Sequence, residues 1–208
     1  LGTILKEIGK LKDAELSICK AIELNPKDIV AHFNLGEILK DLGKLKDAEL
    51  SIRKAIELNP NFAKAYVSLG TILKEIGKLK DAELSNRKAI ELNPKDEEAH
   101  SNLGIILKDL GKLKDAELSI RKAIELNPNF AAAFHSLSTL NYSNKNQIWQ
   151  DQLFSENILK NNSKKDQIDI YFARANILHK EKNYKESARY LELANELKLI
   201  LNPSKPDI

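Results

Sequence analysis

Apolar residues recur at helical spacing along most of the chain, in two bursts for every 34 residues. Residues 29–62 show the pattern clearly, because Gly43 separates their two bursts. Each burst predicts an amphipathic helix, the first at about 29–42 and the second at about 45–58. Gly43 can take the left-handed conformation that closes the first helix, and Pro60 stops the second because it has no amide hydrogen.

The two-helix unit repeats with a fixed period. Four prolines stand 34 residues apart, and the glycines form two series with the same spacing. A period of that size predicts a solenoid, in which each unit buries surface only against its neighbours. A glycine inside a helix costs about 1 kcal/mol relative to alanine, so its recurrence predicts that a second helix packs closely there. The recurring residues are Pro26, Pro60, Pro94 and Pro128, and the helical glycines Gly2, Gly36, Gly70 and Gly104.

Composition narrows the class of protein. The 208 residues contain 33 Lys and Arg against 30 Asp and Glu, and this interleaved net charge of +3 does not favour nucleic-acid binding. No apolar run is long enough to predict a membrane span. Cys19 is the only cysteine, which excludes an internal disulfide and fits a reducing compartment, so we expect a cytoplasmic protein. The chain has no methionine and Leu1 falls within a repeat, which predicts a fragment of a longer chain.

The order of residues within each unit resembles the tetratricopeptide repeat. An aromatic-type slot (His32, Tyr66, His100, Phe134) is followed by Leu-Gly in the regular copies, by a further leucine, by two spaced alanines and by the proline. The resemblance implies an all-α fold, a right-handed α-solenoid of antiparallel helix pairs, whose concave groove is lined by the first helices and binds peptides or protein segments. It divides one solenoid domain into a truncated repeat at 1–28, repeats at 29–62, 63–96 and 97–130, a divergent repeat with a polar linker at 131–167, and a divergent C-terminal repeat and tail at 168–208.

The divergent part begins after Phe130. We expect a first helix at 131–142, a second at about 148–159, a polar linker at 161–166 and a last repeat at 168–201. The segment from Tyr184 to Lys198 resembles the last repeat before the sulfotransferase domain of bacterial fusion proteins. Two functions follow as alternatives: a non-enzymatic protein-interaction scaffold, or the substrate-recognition arm of an enzyme, foremost a sulfotransferase whose catalytic domain follows residue 208.

The regular repeats carry a recent duplication. Residues 35–62 and 103–130 differ only where Glu37 stands in one copy and Ile105 in the other. Such copying leaves little room for a unique site, and a site that needs special residues would appear as a departure from the pattern.

Candidate ligand contacts lie on the first helices. One lysine per repeat forms a row that either holds the backbone or acidic side chains of an extended ligand or is an ordinary solvated surface. Asn34 and Asn102 stand where the tetratricopeptide region of O-GlcNAc transferase carries asparagines that hold a peptide backbone, and Ser68 interrupts that ladder. The candidate groove residues are Phe33, Asn34, Glu37, Lys40, Val67, Ser68, Thr71, Lys74, Asn102, Ile105 and Lys108.

Other sites are not predicted. The slots of the carboxylate clamp found in chaperone-tail binders hold other residues, among them Phe33, Glu37 and Glu98, so binding of chaperone C-termini is not expected. No catalytic constellation, metal site or cofactor site is predicted, because each histidine is isolated. The predicted partner is a protein or peptide, and binding to nucleic acid or to a membrane is not expected. Further contacts with a downstream domain, or end to end with a second copy, are additional hypotheses.

Two features of the second helices predict stability effects. Glu49 and Arg53 stand four residues apart in the order that stabilises a helix. Asn86 stands where the neighbouring copies have isoleucine, such as Ile52, so we expect a buried and unpaired amide and a more stable Asn86→Ile variant.

Overall fold

The structure is a computed structural model that describes residues 10–140 and 147–201. These residues form twelve α-helices and no strand. Within the described chain the fold is therefore all-α, as the sequence predicts. The helices are α1 (Leu11–Leu24), α2 (Ile29–Asp41), α3 (Leu45–Leu58), α4 (Ala63–Glu75), α5 (Leu79–Leu92), α6 (Glu97–Asp109), α7 (Leu113–Leu126), α8 (Ala131–Ser138), α9 (Gln147–Phe154), α10 (Glu156–Lys160), α11 (Lys164–Lys180) and α12 (Tyr184–Leu201).

The turns inside the regular repeats have the conformation that their glycines predict. Gly43 has φ +73°, its amide donates to Lys40 O at 2.9 Å, and the Lys44 amide donates to Leu39 O at 2.8 Å. This pair of bonds is the Schellman motif, which satisfies carbonyls that the end of α2 leaves free. Asn59 is extended before the repeat proline, so α3 ends at Leu58. The predicted helix bounds are confirmed to within one residue.

The chain divides into two compact units, Leu1–Leu110 and Gly111–Ile208. In the first unit α2 packs against α3 and α4 packs against α5, and a turn of a few residues joins each pair, so each pair is antiparallel. The three first helices α2, α4 and α6 also contact one another in succession. That all repeats form one solenoid domain stays a prediction, and the part of the first repeat before Lys10 lies outside the described residues.

The helical glycine sits where the two helices of a repeat approach closely. A Cβ atom added to Gly36 would lie 2.5 Å from the side chain of Ile52, which is fully buried. No side chain larger than hydrogen fits between α2 and α3 at this point without displacing the isoleucine. The predicted close packing is confirmed. The main core cluster of this unit includes Phe33, Leu39, Ala48, Ile52, Ala55, Ala65, Leu69, Ile72, Leu73, Ala82 and Ile106.

Ion pairs link the second helices α1 and α3 to the repeat that follows each of them. Lys44 Nζ lies 2.7 Å from Glu15 Oε1, and Lys78 Nζ lies 2.9 Å from Glu49 Oε2. Glu49 also accepts from Arg53, the partner that the sequence predicts. Burial opposes ionisation of Glu49, but hydrogen bonds and attraction from Lys78 and Arg53 outweigh it and lower the pKa.

Asn86 is buried, and one of the two polar groups of its side-chain amide is hydrogen-bonded. Its side chain is fully enclosed, and Nδ2 donates to Ala82 O at 3.0 Å. Within the described residues Oδ1 has no hydrogen-bond partner. The predicted burial is confirmed, whereas the prediction of an entirely unpaired amide is wrong, because the side chain folds back onto its own helix.

The second helix predicted for the fifth repeat is broken. One helix is expected at about 148–159, but α9 ends at Phe154 and α10 begins at Glu156. Arg174 of α11 lies at the break, 4% exposed, with Nε donating to Leu153 O and Nη2 donating to Ser155 O, both at 2.9 Å. The guanidinium therefore satisfies carbonyls that the interrupted helix leaves free. The break depends on a residue about twenty positions along the chain, so the local pattern did not reveal it.

The polar linker is shorter than predicted. Residues 164–166 belong to α11, because Ser163 caps the helix by accepting from the Asp166 amide at 3.2 Å while its hydroxyl donates to the Asp166 carboxylate. The preceding first helix also differs from the prediction. It ends at Ser138 rather than at residue 142, and residues 141–146 lie outside the described part. Lys180 donates to the carbonyls of Ser138, the last residue of α8, and of Leu140, both at 2.7 Å.

Candidate functional site

The first helices of unit 1 carry polar and charged side chains on neighbouring positions. We call this surface the first-helix face and define it by side chains of α2, α4 and α6, which are adjacent in the structure. Contacts and electrostatic interactions link these side chains across the three helices. The defining residues are Glu37, Lys40, Lys64, Thr71, Lys74, Glu98, Asn102 and Ile105.

A small cavity lies between α4 and α6 on this face. Thr71, Lys74, Asn102 and Ile105 line it together with Ile106, and its volume is about 40 Å³. That space is close to the share of volume that one water molecule occupies in the liquid. Asn102 Nδ2 lies 3.5 Å from Thr71 Oγ1, so an amide and a hydroxyl meet beside Lys74 at this cavity. Such a set can both donate to and accept from a peptide backbone.

The opposite part of the face, around α2, is rich in charge. Lys40 Nζ donates to Glu37 Oε2 at 2.9 Å, and Glu37 Oε1 is buried without a hydrogen-bond partner among the described residues. Lys64 lies over the Phe33 ring, with Nζ 5.8 Å from the ring centre. Glu98 is exposed, but partial loss of hydration raises its pKa, and the negative charges of Asp96 and Glu37 raise it further.

Three predicted groove residues lie mostly beneath the surface. Phe33, Val67 and Ser68 are 7%, 4% and 8% exposed. Phe33 packs against Phe62, with ring centres 5.0 Å apart. These three residues therefore form the floor of the face, and contact with a ligand through them is restricted to a narrow exposed edge. The other predicted residues are half-buried, namely Asn34, Glu37, Lys40, Thr71, Lys74, Asn102, Ile105 and Lys108.

Lys64 and Glu98 belong to the face but were not among the predicted groove residues. Both occupy the slot that Val30 fills in the repeat at 29–62. The sequence did contain a signal for these two residues, because one slot changes from an apolar residue to a positive and then to a negative charge in successive repeats. The local pattern did not show that Glu98 lies in electrostatic range of Glu37, which is on a helix two repeats away.

Models of the tetratricopeptide repeat match residues 29–62 and 97–130, residues 52–83, and residues 1–28 and 168–199. Together these matches cover more than half of the chain. The chain is a tetratricopeptide repeat protein. No curated protein matches it. The fold-class prediction is thereby confirmed, since helix pairs of this family are consistent with an α-solenoid.

Solved structures of the family share this fold at low sequence identity. PilF of Pseudomonas aeruginosa is 19% identical with a TM-score of 0.73, covering 99% of this chain and 90% of its own. YrrB, described as a TPR protein with an unusual peptide-binding site, is 24% identical with a TM-score of 0.61, covering 87% and 88%. The first TPR of Spaghetti (RPAP3), bound to the HSP90 peptide SRMEEVD, is 22% identical with a TM-score of 0.53, covering 54% and 89%.

Four further expectations concern membrane spans, metal sites, the resemblance to sulfotransferase fusion proteins and the cellular location. None of the described helices is both long enough and apolar enough to cross a bilayer. Within the described residues no three side chains of the types that hold metal ions come together. The comparisons above do not bear on the resemblance to sulfotransferase fusion proteins or on the cytoplasmic location, and both stay predictions.

Proposed function

We propose that this tetratricopeptide repeat protein is a non-enzymatic interaction scaffold that binds an extended peptide or protein segment along the first-helix face of unit 1. The observation that carries the proposal is the convergence of Thr71, Lys74 and Asn102 on one small cavity. Within the described residues the Lys74 ammonium has no ion pair or hydrogen bond, so it is available to a ligand.

An extended segment suits this face better than a compact ligand. The polar groups are spread over three successive first helices, and the cavity is too small to enclose a drug-sized molecule, which needs about 300 Å³ or more. The half-buried Ile105 adds an apolar contact beside the amide of Asn102. Alternating apolar and polar contacts are typical of peptide recognition in an open groove. The peptide sites named for YrrB and for the RPAP3 domain support the same use of the fold.

The proposal can be tested with a displayed library of random dodecapeptides. We expect selected peptides to bind the whole chain, and their NMR titration to shift amide signals of α2, α4 and α6. A Lys74→Ala, Asn102→Ala double variant should weaken binding about tenfold or more, because each lost hydrogen bond to a charged or polar group has a measurable cost. Lys46→Ala, which removes an exposed lysine from α3, serves as the matched control.

Two results would contradict the proposal. One is a library that yields no peptide with specific affinity. The other is binding whose shifted amides lie on the second helices α3 and α5 and which the double variant leaves unchanged.

A further inference from the structure

The row of lysines on the first helices is not uniform, because the residue three positions before each lysine differs. That residue is Glu37 before Lys40, Thr71 before Lys74 and Ile105 before Lys108. Residues three apart on a helix lie on the same side of it, so a carboxylate at this position can pair with the lysine. Of these three repeats, the one at 29–62 alone carries a carboxylate there.

Lys40 and Lys74 consequently differ in their partners. Lys40 Nζ donates to Glu37 Oε2 at 2.9 Å and forms an ion pair with it. Lys74 has a threonine at that position, and within the described residues its ammonium has neither an ion pair nor a hydrogen bond. Thr71 does not replace the missing carboxylate, because its hydroxyl donates to the carbonyl of Val67 at 3.3 Å. Lys74 is therefore a cation on the first-helix face whose charge is open to a ligand.

The same lysine lines the cavity between α4 and α6 together with Asn102, whose amide is also incompletely paired. Asn102 Nδ2 lies 3.5 Å from Thr71 Oγ1, the limiting length for a hydrogen bond, and its side chain makes no other bond within the described residues. The cavity of about 40 Å³ has room for an oxygen atom of about the size of a water molecule. An ammonium and an amide N–H thus border a space that holds no acceptor for them. The unmodified side chains that supply a charged acceptor at neutral pH are aspartate and glutamate.

We propose that Lys74 and Asn102 bind the carboxylate of an aspartate or glutamate side chain of the extended peptide. One carboxylate oxygen would lie at the cavity and accept from the Asn102 amide, while Lys74 would neutralise the charge. Ile105, which lines the same cavity, would contact the methylene groups of that side chain. This inference rests on the proposed function, since the acidic residue belongs to the peptide held by the first-helix face. It assigns the acidic contact to one lysine of the row and adds a sequence requirement to the ligand.

The test uses a fluorescein-labelled dodecapeptide selected from the library and synthesised with an amidated C-terminus, which removes the terminal carboxylate. A neutral version has glutamine or asparagine in place of its acidic residue. We expect selected peptides to share an acidic residue, and the neutral version to bind the whole chain about tenfold more weakly by fluorescence anisotropy. Raising the salt concentration from about 0.05 M to about 0.5 M should reduce that difference, because Lys74 is only half-buried.

The repeats supply matched substitutions at position 71. Thr71→Glu introduces the residue of the repeat at 29–62, and its carboxylate should pair with Lys74 as Glu37 pairs with Lys40. We expect this variant to fold and to bind the acidic and neutral peptides alike, a coupling that a purely structural role would not produce. Thr71→Ile introduces the residue of the repeat at 97–130, leaves Lys74 unpaired and should keep the preference for the acidic peptide, whatever its overall affinity. Asn61→Asp, at the exposed junction before α4, adds the same charge outside the cavity and is the control.

Selected peptides without an acidic residue, equal binding of the acidic and neutral versions to the parent chain, or a preference that survives in Thr71→Glu would each overturn the subsite and leave the scaffold function standing. A preference lost equally in Asn61→Asp would also overturn it, since the effect would then come from charge at long range rather than from Lys74. Failure to obtain any binding peptide would overturn both proposals together.

Discussion

Asn86 is the one polar residue at a position that the neighbouring repeats fill with isoleucine. It is fully enclosed beneath Gly70, as Ile52 is beneath Gly36. Its amide nitrogen bonds to Ala82 O, which as a helix carbonyl also serves the backbone, and its carbonyl oxygen has no partner among the described residues. Replacing Asn86 with isoleucine therefore removes a buried acceptor and fills the same space with apolar atoms.

The gain can be estimated from these contacts. Release of the unpaired acceptor is worth about 1–3 kcal/mol, and loss of the hydrogen bond to Ala82 O subtracts about 1 kcal/mol. Burial of the larger apolar side chain adds about 1 kcal/mol or more. We expect Asn86→Ile to be more stable by about 1–3 kcal/mol, which for a chain of this length raises the Tm by about 2–12 °C.

Urea unfolding followed by circular dichroism measures this change, and hydrogen exchange of the α5 amides tests whether the gain is local, as expected for a repeat array. Ile52→Asn is the matched control, because it places the same amide beneath Gly36 and should destabilise the protein by a similar amount. An Asn86→Ile variant that is no more stable than the parent would show that Oδ1 finds a hydrogen-bond partner in solution and would refute the reasoning.

Two further changes test the ion pairs and the broken helix. Glu49→Gln should cost about 1 kcal/mol at pH 7, since Lys78 and Arg53 are half exposed. Folding lowers the pKa of Glu49 below its ordinary value of 4.5, so the stability from its ion pairs is complete above pH 4.5 and disappears as the pH falls through the lower folded pKa. Parent and variant should therefore have the same free energy of unfolding in strong acid. A difference in unfolding that persists there would contradict this explanation. Arg174→Met should cost about 3 kcal/mol and speed hydrogen exchange in α9 and α10, because two carbonyls lose their donor, and unchanged exchange there would show that the guanidinium does not support the break.

The helices of the regular repeats could be predicted closely, and those of the divergent part could not. The ends of α2 and α3 depend on Gly43 and on the repeat proline, residues that act on their own backbone within a few positions. The ends of α8 and α9 instead involve Lys180 and Arg174, whose donors reach carbonyls 19 to 42 residues away. No local pattern contains that information.

In the candidate site, too, some features follow from the sequence and others depend on the tertiary structure. The sequence indicated which helices carry the first-helix face and that Thr71, Lys74 and Asn102 occupy slots on it, because the 34-residue period fixes the slot of every residue. Only the tertiary structure decided that Phe33 and Val67 are buried, that Lys44 pairs with Glu15 of the preceding repeat, and that the charge of Glu37 acts on Glu98. The physical reason is that a solenoid places residues from different repeats side by side, and the side chains that meet there compete for burial and for charge, which a repeat pattern does not encode.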